Sequence, residues 1–250
     1  MDDALPLLLS QNLRAVREQI AAACRLAGRA ESEVKLVAVT KYVDNATVIA
    51  LARCLAEDHA TRLDDSPIIL GENRPQVLQQ RWSEWPEALA VDWHLIGHLQ
   101  SNKIKVVVGR TALIHSLDRF ELLDKLNEQA ARHNLVVRGL LEFRLSDDSE
   151  KHGFVAADLP RLLDRWASWS NLQLCGVMGM SGLDANETES RRQFEMLREI
   201  FNWMGEGLTP DSARCWQELS MGMSGDLPQA IAAGATMVRI GSALFRGLLN

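Results

Sequence analysis

Leu36-Val37-Ala38-Val39-Thr40-Lys41 is an apolar, β-branched run that ends on a lone lysine, and near the other end of the chain Met237-Val238-Arg239-Ile240 runs into Gly241-Ser242. Both read as strands, since such side chains suit a pleated, half-buried surface. Alternation puts Val37, Val39 and Lys41 on one face of the first, and Met237, Arg239 and Gly241 on one face of the last. In a closed parallel barrel the first and last strands are neighbours, so the two ends of the sequence would meet. A lysine at a strand tip, beside a turn fit to hold a phosphate, points to a carbonyl cofactor held as a Schiff base.

The rest of the chain supports closure. Leu13, Val16, Ile20 and Ala23 recur at helical spacing, so the chain opens on a helix. Strand-like runs follow near 34–40, 67–71, 92–97, 112–115, 136–143, 172–178, 214–219 and 236–240. Amphipathic segments near 45–56, 74–84, 102–108, 119–133, 156–168, 187–204 and 226–233 separate them, and Ser242 to Leu249 reads as a last helix. This alternation predicts an α/β fold, a (β/α)8 TIM barrel with one additional N-terminal helix, formed as a single domain over 1–250. A doubly wound open sheet shares the alternation and is the competing architecture. The charged run Glu57 to Ser66 is read as a loop or a frayed helix end.

Bulk properties narrow the function. Hydrophobic residues make up 47% and charged residues 24% of the 250, which is ordinary for a soluble globular chain. A net charge of −6 argues against nucleic acid, which calls for a basic face. Cys24, Cys54, Cys175 and Cys215 are scattered without close spacing, as suits a reducing cytoplasm rather than a disulfide or zinc framework. The start is acidic where a secretory signal would be basic, and no apolar run is long enough to cross a bilayer.

Barrel active sites gather at the C-terminal ends of the strands, where Lys41, Gly71-Glu72-Asn73, Gly97-His98, Ser220 to Ser224 and Gly241-Ser242 all fall. Gly241-Ser242 precedes a predicted helix, whose free N–H groups suit a phosphate, although an ordinary Ser N-cap has the same appearance. Leu219-Ser220-Met221-Gly222-Met223-Ser224-Gly225-Asp226 is a second loop of the same kind. His94 and His98 have the i, i+4 spacing of a metal pair, but on a strand end that spacing has no helical geometry behind it. With no acidic or cysteine partner near in sequence, no metal site is expected. Walker loops, nucleophile elbows and dinucleotide fingerprints are absent from the sequence.

Taken together, these segments resemble the pyridoxal 5′-phosphate homeostasis protein family. The resemblance runs from the Leu36-to-Lys41 strand through Leu70-Gly71-Glu72-Asn73, Trp93-His94-Leu95-Ile96-Gly97-His98-Leu99-Gln100-Ser101-Asn102-Lys103, Ile114-His115-Ser116-Leu117-Asp118 and Lys151-His152-Gly153-Phe154. It ends in Leu219-Ser220-Met221-Gly222-Met223-Ser224 to Arg239-Ile240-Gly241-Ser242. It implies a pyridoxal phosphate (PLP) barrel of fold type III, like the N-terminal domain of alanine racemase, with PLP on Lys41. Arg239 matches the arginine facing the pyridine nitrogen, Ser224, Gly241 and Ser242 match phosphate contacts, and Asn73 matches a residue beside the cofactor.

The scattered cysteines suit the cytoplasm and a barrel that buries its own sheet edges suits a monomer, and the resemblance further implies intracellular PLP (vitamin B6) homeostasis without established catalysis. The partners it implies are PLP and, as recipients, apo forms of PLP-dependent enzymes, with neither nucleic acid nor membrane. An arginine at the pyridine nitrogen leaves that nitrogen unprotonated and weakens the ring as an electron sink. The alternative is a PLP-dependent enzyme with weak racemase activity, which needs a second acid/base. The one tyrosine, Tyr42, follows Lys41, so alternation points it away from the amine unless the strand has already ended. Three departures from the family pattern stand out: Pro75, Ser242 in place of threonine, and Gly179-Met180-Ser181-Gly182 at the end of the sixth strand.

Overall fold

In the computed structural model, residues 4–63, 65–146 and 152–249 are described. The elements run α1 (Ala4–Leu26), β1 (Lys35–Val39), α2 (Asn45–Arg62), β2 (Ile69–Glu72), α3 (Pro75–Glu84), β3 (Asp92–Leu95), α4 (Ile104–Val107), β4 (Leu113–Leu117) and α5 (Phe120–Arg132). They continue β5 (Val137–Arg144), α6 (Leu159–Arg165), β6 (Leu172–Met180), α7 (Glu187–Gly207), α8 (Pro210–Cys215), β7 (Glu218–Ser220), α9 (Leu227–Ala232) and β8 (Met237–Ile240). Each strand pairs in parallel with the next, and β8 returns to β1 with Val37 opposite Arg239 and Ala38 opposite Ile240. The sheet is therefore a closed eight-stranded barrel, and the open-sheet alternative is excluded.

Strand alternation divides the core into two. Leu36, Ala38, Leu70, Leu95 and Val238 face outward into a large apolar layer beneath the helices. Val37, Ile69, Leu113, Leu140, Cys175, Met178 and Met237 form a smaller cluster inside the barrel. On β6 the alternation slips by one residue: Cys175 and Met178 point in while Leu174 and Val177 point out. The extra residue is Cys175, left without a partner where the register passes from Gly139–Leu174 to Leu140–Gly176. A bulge of this kind re-aims every side chain beyond it. The N-terminal helix α1 buries Leu9, Leu13, Val16 and Ile20 and lies against α2 and α9, on the outside of the β1–β8 seam.

Four departures from the sequence reading change what an element is or which way it points. β1 ends at Val39, so Lys41 stands in the following turn and not on the strand face. α2 continues through the charged run as far as Arg62, because that run faces partners: Arg17 pairs with Asp58 at 2.9 Å and Arg62 with Glu31 at 3.0 Å. Residues 210–215 form α8, started by the Thr209 hydroxyl accepting from Ser212 N–H, which leaves a strand of only three residues at β7. The segment after Gly241 is a series of turns, not a helix. Among the described residues no helix is long and apolar enough to cross a membrane.

Gly176 has no room for a side chain. A Cβ there would lie 1.8 Å from the Glu218 carbonyl oxygen. Gly176→Ala must push β6 from β7, and we expect a stability loss on the order of 3 kcal/mol, the upper end for overpacking. Urea unfolding of the variant beside the wild type measures it.

Candidate functional site

The β1–β8 pairing brings three loops to one end of the barrel. Gly241, just beyond β8, packs on Val39, the last residue of β1. The loop after β7 comes alongside, with the Ser242 and Ser224 hydroxyls 3.4 Å apart, both exposed. The two loops that the sequence singled out separately thus form one surface. Gly222 turns the β7 loop with a φ of +92°, and a Cβ there would meet Ala230 at 2.5 Å, so only glycine fits the turn. Asp226 fixes the same loop, its carboxylate accepting from Met223 N–H at 2.6 Å and from the Ser181 hydroxyl at 2.6 Å. The departure Gly179-Met180-Ser181-Gly182 is accordingly part of the scaffold: Ser181 holds Asp226, and the Gly179 carbonyl accepts from Arg239 at 3.1 Å.

Lys41 is exposed, in a turn with Tyr42. The strand has ended before Lys41, so alternation no longer separates the two, and Lys41 Nζ lies 4.8 Å from the centre of the Tyr42 ring. A buried ion pair holds this turn. Glu72, at the end of β2, accepts from Arg81 Nε at 3.1 Å, and both are buried. Arg81 Nη2 donates to the carbonyls of Thr40 (2.9 Å) and Val43 (3.0 Å), one on each side of Lys41-Tyr42. The other Glu72 oxygen accepts from Asn73 N–H at 2.8 Å, so one carboxylate orders both the Lys41 turn and Asn73. Sequence reasoning missed this pair. Its signal was an acidic residue ending an otherwise apolar strand, but the partner lies nine residues on, on a helix.

Below the mouth, the barrel interior carries a polar chain. Arg239 Nη1 donates to Ser220 Oγ at 2.7 Å, Ser220 Oγ lies 3.0 Å from His115 Nδ1, and His115 Nε2 lies 2.9 Å from His94 Nδ1. Burial drives the His94 pKa down to about 3, helped by the charges of Arg138 and Lys35. Burial first, then the neighbouring His94 and Arg239, pushes His115 well below its usual value. Both rings are thus neutral, and each donates through one nitrogen and accepts through the other, so the chain can run unbroken from the Ser220 hydroxyl, which accepts from Arg239, to His94. Burial also lowers Arg239, though only to about 10, against the opposing pull of Glu142 and Asp226. It remains a cation at neutral pH.

On the β3–β6 side of the mouth lies a cavity of about 390 Å³, walled by Ile96, His98, Glu142, Phe143, Arg144, His152, Met180, Ser181 and Met223 among others. None of the six residues proposed from the sequence lines it. Burial and the nearby Asp118 charge raise the Glu142 pKa to about 7, with Arg239 opposing. His94 and His98, read as a possible pair, part company: His94 points into the barrel, and His98 stands at the rim with its Nδ1 2.8 Å from Asp118 Oδ2.

Residues 11–248 fit the model of the alanine racemase N-terminal domain. The pyridoxal phosphate homeostasis protein of Aquifex aeolicus is 33% identical over 235 residues, which cover 94% of this chain and 96% of that protein. The chain belongs to the pyridoxal phosphate homeostasis protein family. A solved structure of PipY from Synechococcus elongatus with PLP bound superposes with a TM-score of 0.78 at 27% identity, covering 95% of this chain and 99% of that one. Alanine racemase from Bartonella henselae shares the fold alone, with a TM-score of 0.68 at 12% identity over 96% of this chain and 58% of its own. In this member of the homeostasis protein family, then, Ser224, Gly241 and Ser242 adjoin, Arg239 lies buried beneath the mouth, and Lys41 and Asn73 are set by the Glu72–Arg81 pair.

Two predictions follow from the buried groups. Removing one partner of a buried ion pair strands the other, so Arg81→Met should cost about 3–5 kcal/mol and loosen the Lys41 turn, read by urea unfolding and by amide exchange at Lys41–Val43. Between pH 6.5 and 4.5 the unfolded chain protonates His94 and His115 while the native state does not; native Glu142 holds one proton that the unfolded chain loses. The unfolded state therefore binds about one more proton net, and these groups make stability fall by roughly 1.4 kcal/mol per pH unit on acidification. Glu142→Gln removes the opposing contribution and should steepen that slope in urea titrations.

Proposed function

We propose that this family member holds PLP at the barrel mouth and keeps it without turnover, as a carrier in PLP homeostasis. The observation that carries this reading is the meeting of the β7 and β8 loops, with two serine hydroxyls 3.4 Å apart above a buried, charged Arg239. The two hydroxyls and the backbone N–H groups of these turns suit a phosphate dianion. Ser224, Gly241 and Ser242 would take the phosphate, Arg239 would face the pyridine nitrogen, Asn73 would flank the ring, and the Lys41 amine would be the covalent anchor. Bound PLP supplies an aldehyde and an electron-accepting ring.

Arg239 argues for holding over turnover. Its pKa of about 10 keeps the guanidinium charged, so it holds its protons and does not transfer one to the ring nitrogen at neutral pH. A weak racemase would further need acid/base groups on opposite sides of a substrate carbon. Tyr42 packs against the Lys41 amine on the same turn, so it does not supply the opposite side. The four cysteines are free, which fits a reducing, cytoplasmic setting, and the closed barrel leaves no unpaired sheet edge, which fits a monomer. Apo forms of PLP-dependent enzymes would be the recipients.

The visible spectrum tests the reading. Wild-type protein given PLP should develop a long-wavelength absorption band that Lys41→Ala lacks, and amino acids incubated with the loaded protein in D2O should keep their α-protons. No band in the wild type would leave a phosphate-binding barrel with a different ligand. Exchange of α-protons would establish an enzyme instead.

A further inference from the structure

Three separate segments meet beside the rim cavity: the loop after β3 with His98, the stretch before α6 with His152, both lining the cavity, and Asp118, buried just past β4. One ligand atom from each lies within 4.8 Å of the other two. His98 Nδ1 is 2.8 Å and His152 Nδ1 3.9 Å from the same oxygen, Asp118 Oδ2. The two imidazoles stack, with centroids 4.1 Å apart and planes 22° from parallel. We propose that His98, Asp118 and His152 form a site for a divalent cation of the zinc type, open toward the cavity.

The geometry favours a ligand set over a lone structural contact. A His98–Asp118 hydrogen bond would by itself account for one ring. The second ring, stacked on the first, turns the same nitrogen toward the same carboxylate oxygen from beyond bonding distance, and a cation would draw this exposed ring out of the stack to bring its in-plane lone pair to bear. Asp118 is prepared for the role: its side chain is 1% exposed, and its other oxygen, Oδ1, accepts from Arg119 Nη1 at 2.5 Å. Ligating carboxylates are ordinarily anchored by such an outer partner. Two imidazoles and one carboxylate suit zinc, cobalt or nickel over magnesium or calcium, which favour all-oxygen sets. Three protein ligands leave a fourth position, and since His98 and His152 both line the cavity, that position faces it. The spacing was invisible in the sequence because the two histidines lie 54 residues apart on different loops.

This site does not depend on Lys41, and the test separates the two. Zinc chloride titrated by calorimetry into the tag-free full chain should bind saturably at one equivalent, and cobalt(II) should give visible d–d bands. His98→Ala and His152→Ala should each weaken zinc at least about 10-fold, the loss ordinary for a disturbed metal site. Their side chains are 35% and 62% exposed, so both variants should keep the wild-type circular dichroism. His133→Ala, an exposed histidine elsewhere, should bind as wild type. PLP has metal-binding oxygens of its own, so PLP-free Lys41→Ala is the deciding sample, and it should retain zinc. Absence of saturable binding, wild-type affinity in both cavity variants, or loss of zinc in PLP-free Lys41→Ala would each overturn the proposal.

Discussion

The parallel pairing of β1 with β8 is the constraint on which the rest of the molecule depends. It places Val37 opposite Arg239 and sets Gly241 against Val39. Without it the Lys41 turn and the Ser242 turn would stand at opposite edges of a sheet, some two hundred residues apart in sequence. Closure also removes both sheet edges, leaving no row of unpaired backbone groups to cover. The long first helix follows from the same seam. It lies against α2 and α9, the helices beside it, and buries there the apolar face that the barrel would otherwise leave exposed.

Closure has an electrostatic consequence. A barrel interior is dry, yet this one holds Arg239, two histidines, Ser220 and Glu142 near its mouth. Such groups are tolerated when they find partners, and hydrogen bonds link Arg239 to Ser220, Ser220 to His115, and His115 to His94. Its neutral rings are fixed by position, and the cation at its head is turned toward the Gly179 carbonyl and the serine. The arrangement places a buried cation at the head of a neutral hydrogen-bonded run.

The mouth has two halves of different character. On the β7–β8–β1 side, two small-residue loops and an exposed lysine form an open surface, braced from behind by Asp226 and by the Glu72–Arg81 pair. On the β3–β6 side, a walled cavity gathers His98, Glu142, Arg144 and His152. Gly179 to Gly182 lies between them and serves both, through the Arg239 and Asp226 contacts and as cavity wall. This placement gives the departure in sequence a structural meaning: the segment couples the two halves.

The sequence by itself determined the alternation of strands and helices, the additional first helix, and which loops meet at the catalytic end of a barrel. These follow from hydrophobic period and turn residues, which are local. Local signals also misled at the edges. The charged run 57–62 is helical because Arg17 and Glu31 lie across from it, and residues 214–215, expected to open a strand, instead close the helix 210–215. Only the tertiary structure decided that Arg81 clamps the Lys41 turn, that Tyr42 packs on Lys41, that Ser181 braces the β7 loop through Asp226, and that His98 and His152 meet over Asp118. Each of these joins side chains from different elements, or from a turn whose direction the strand pattern does not set. Closure brings such groups within reach, and no periodicity in one dimension encodes that approach.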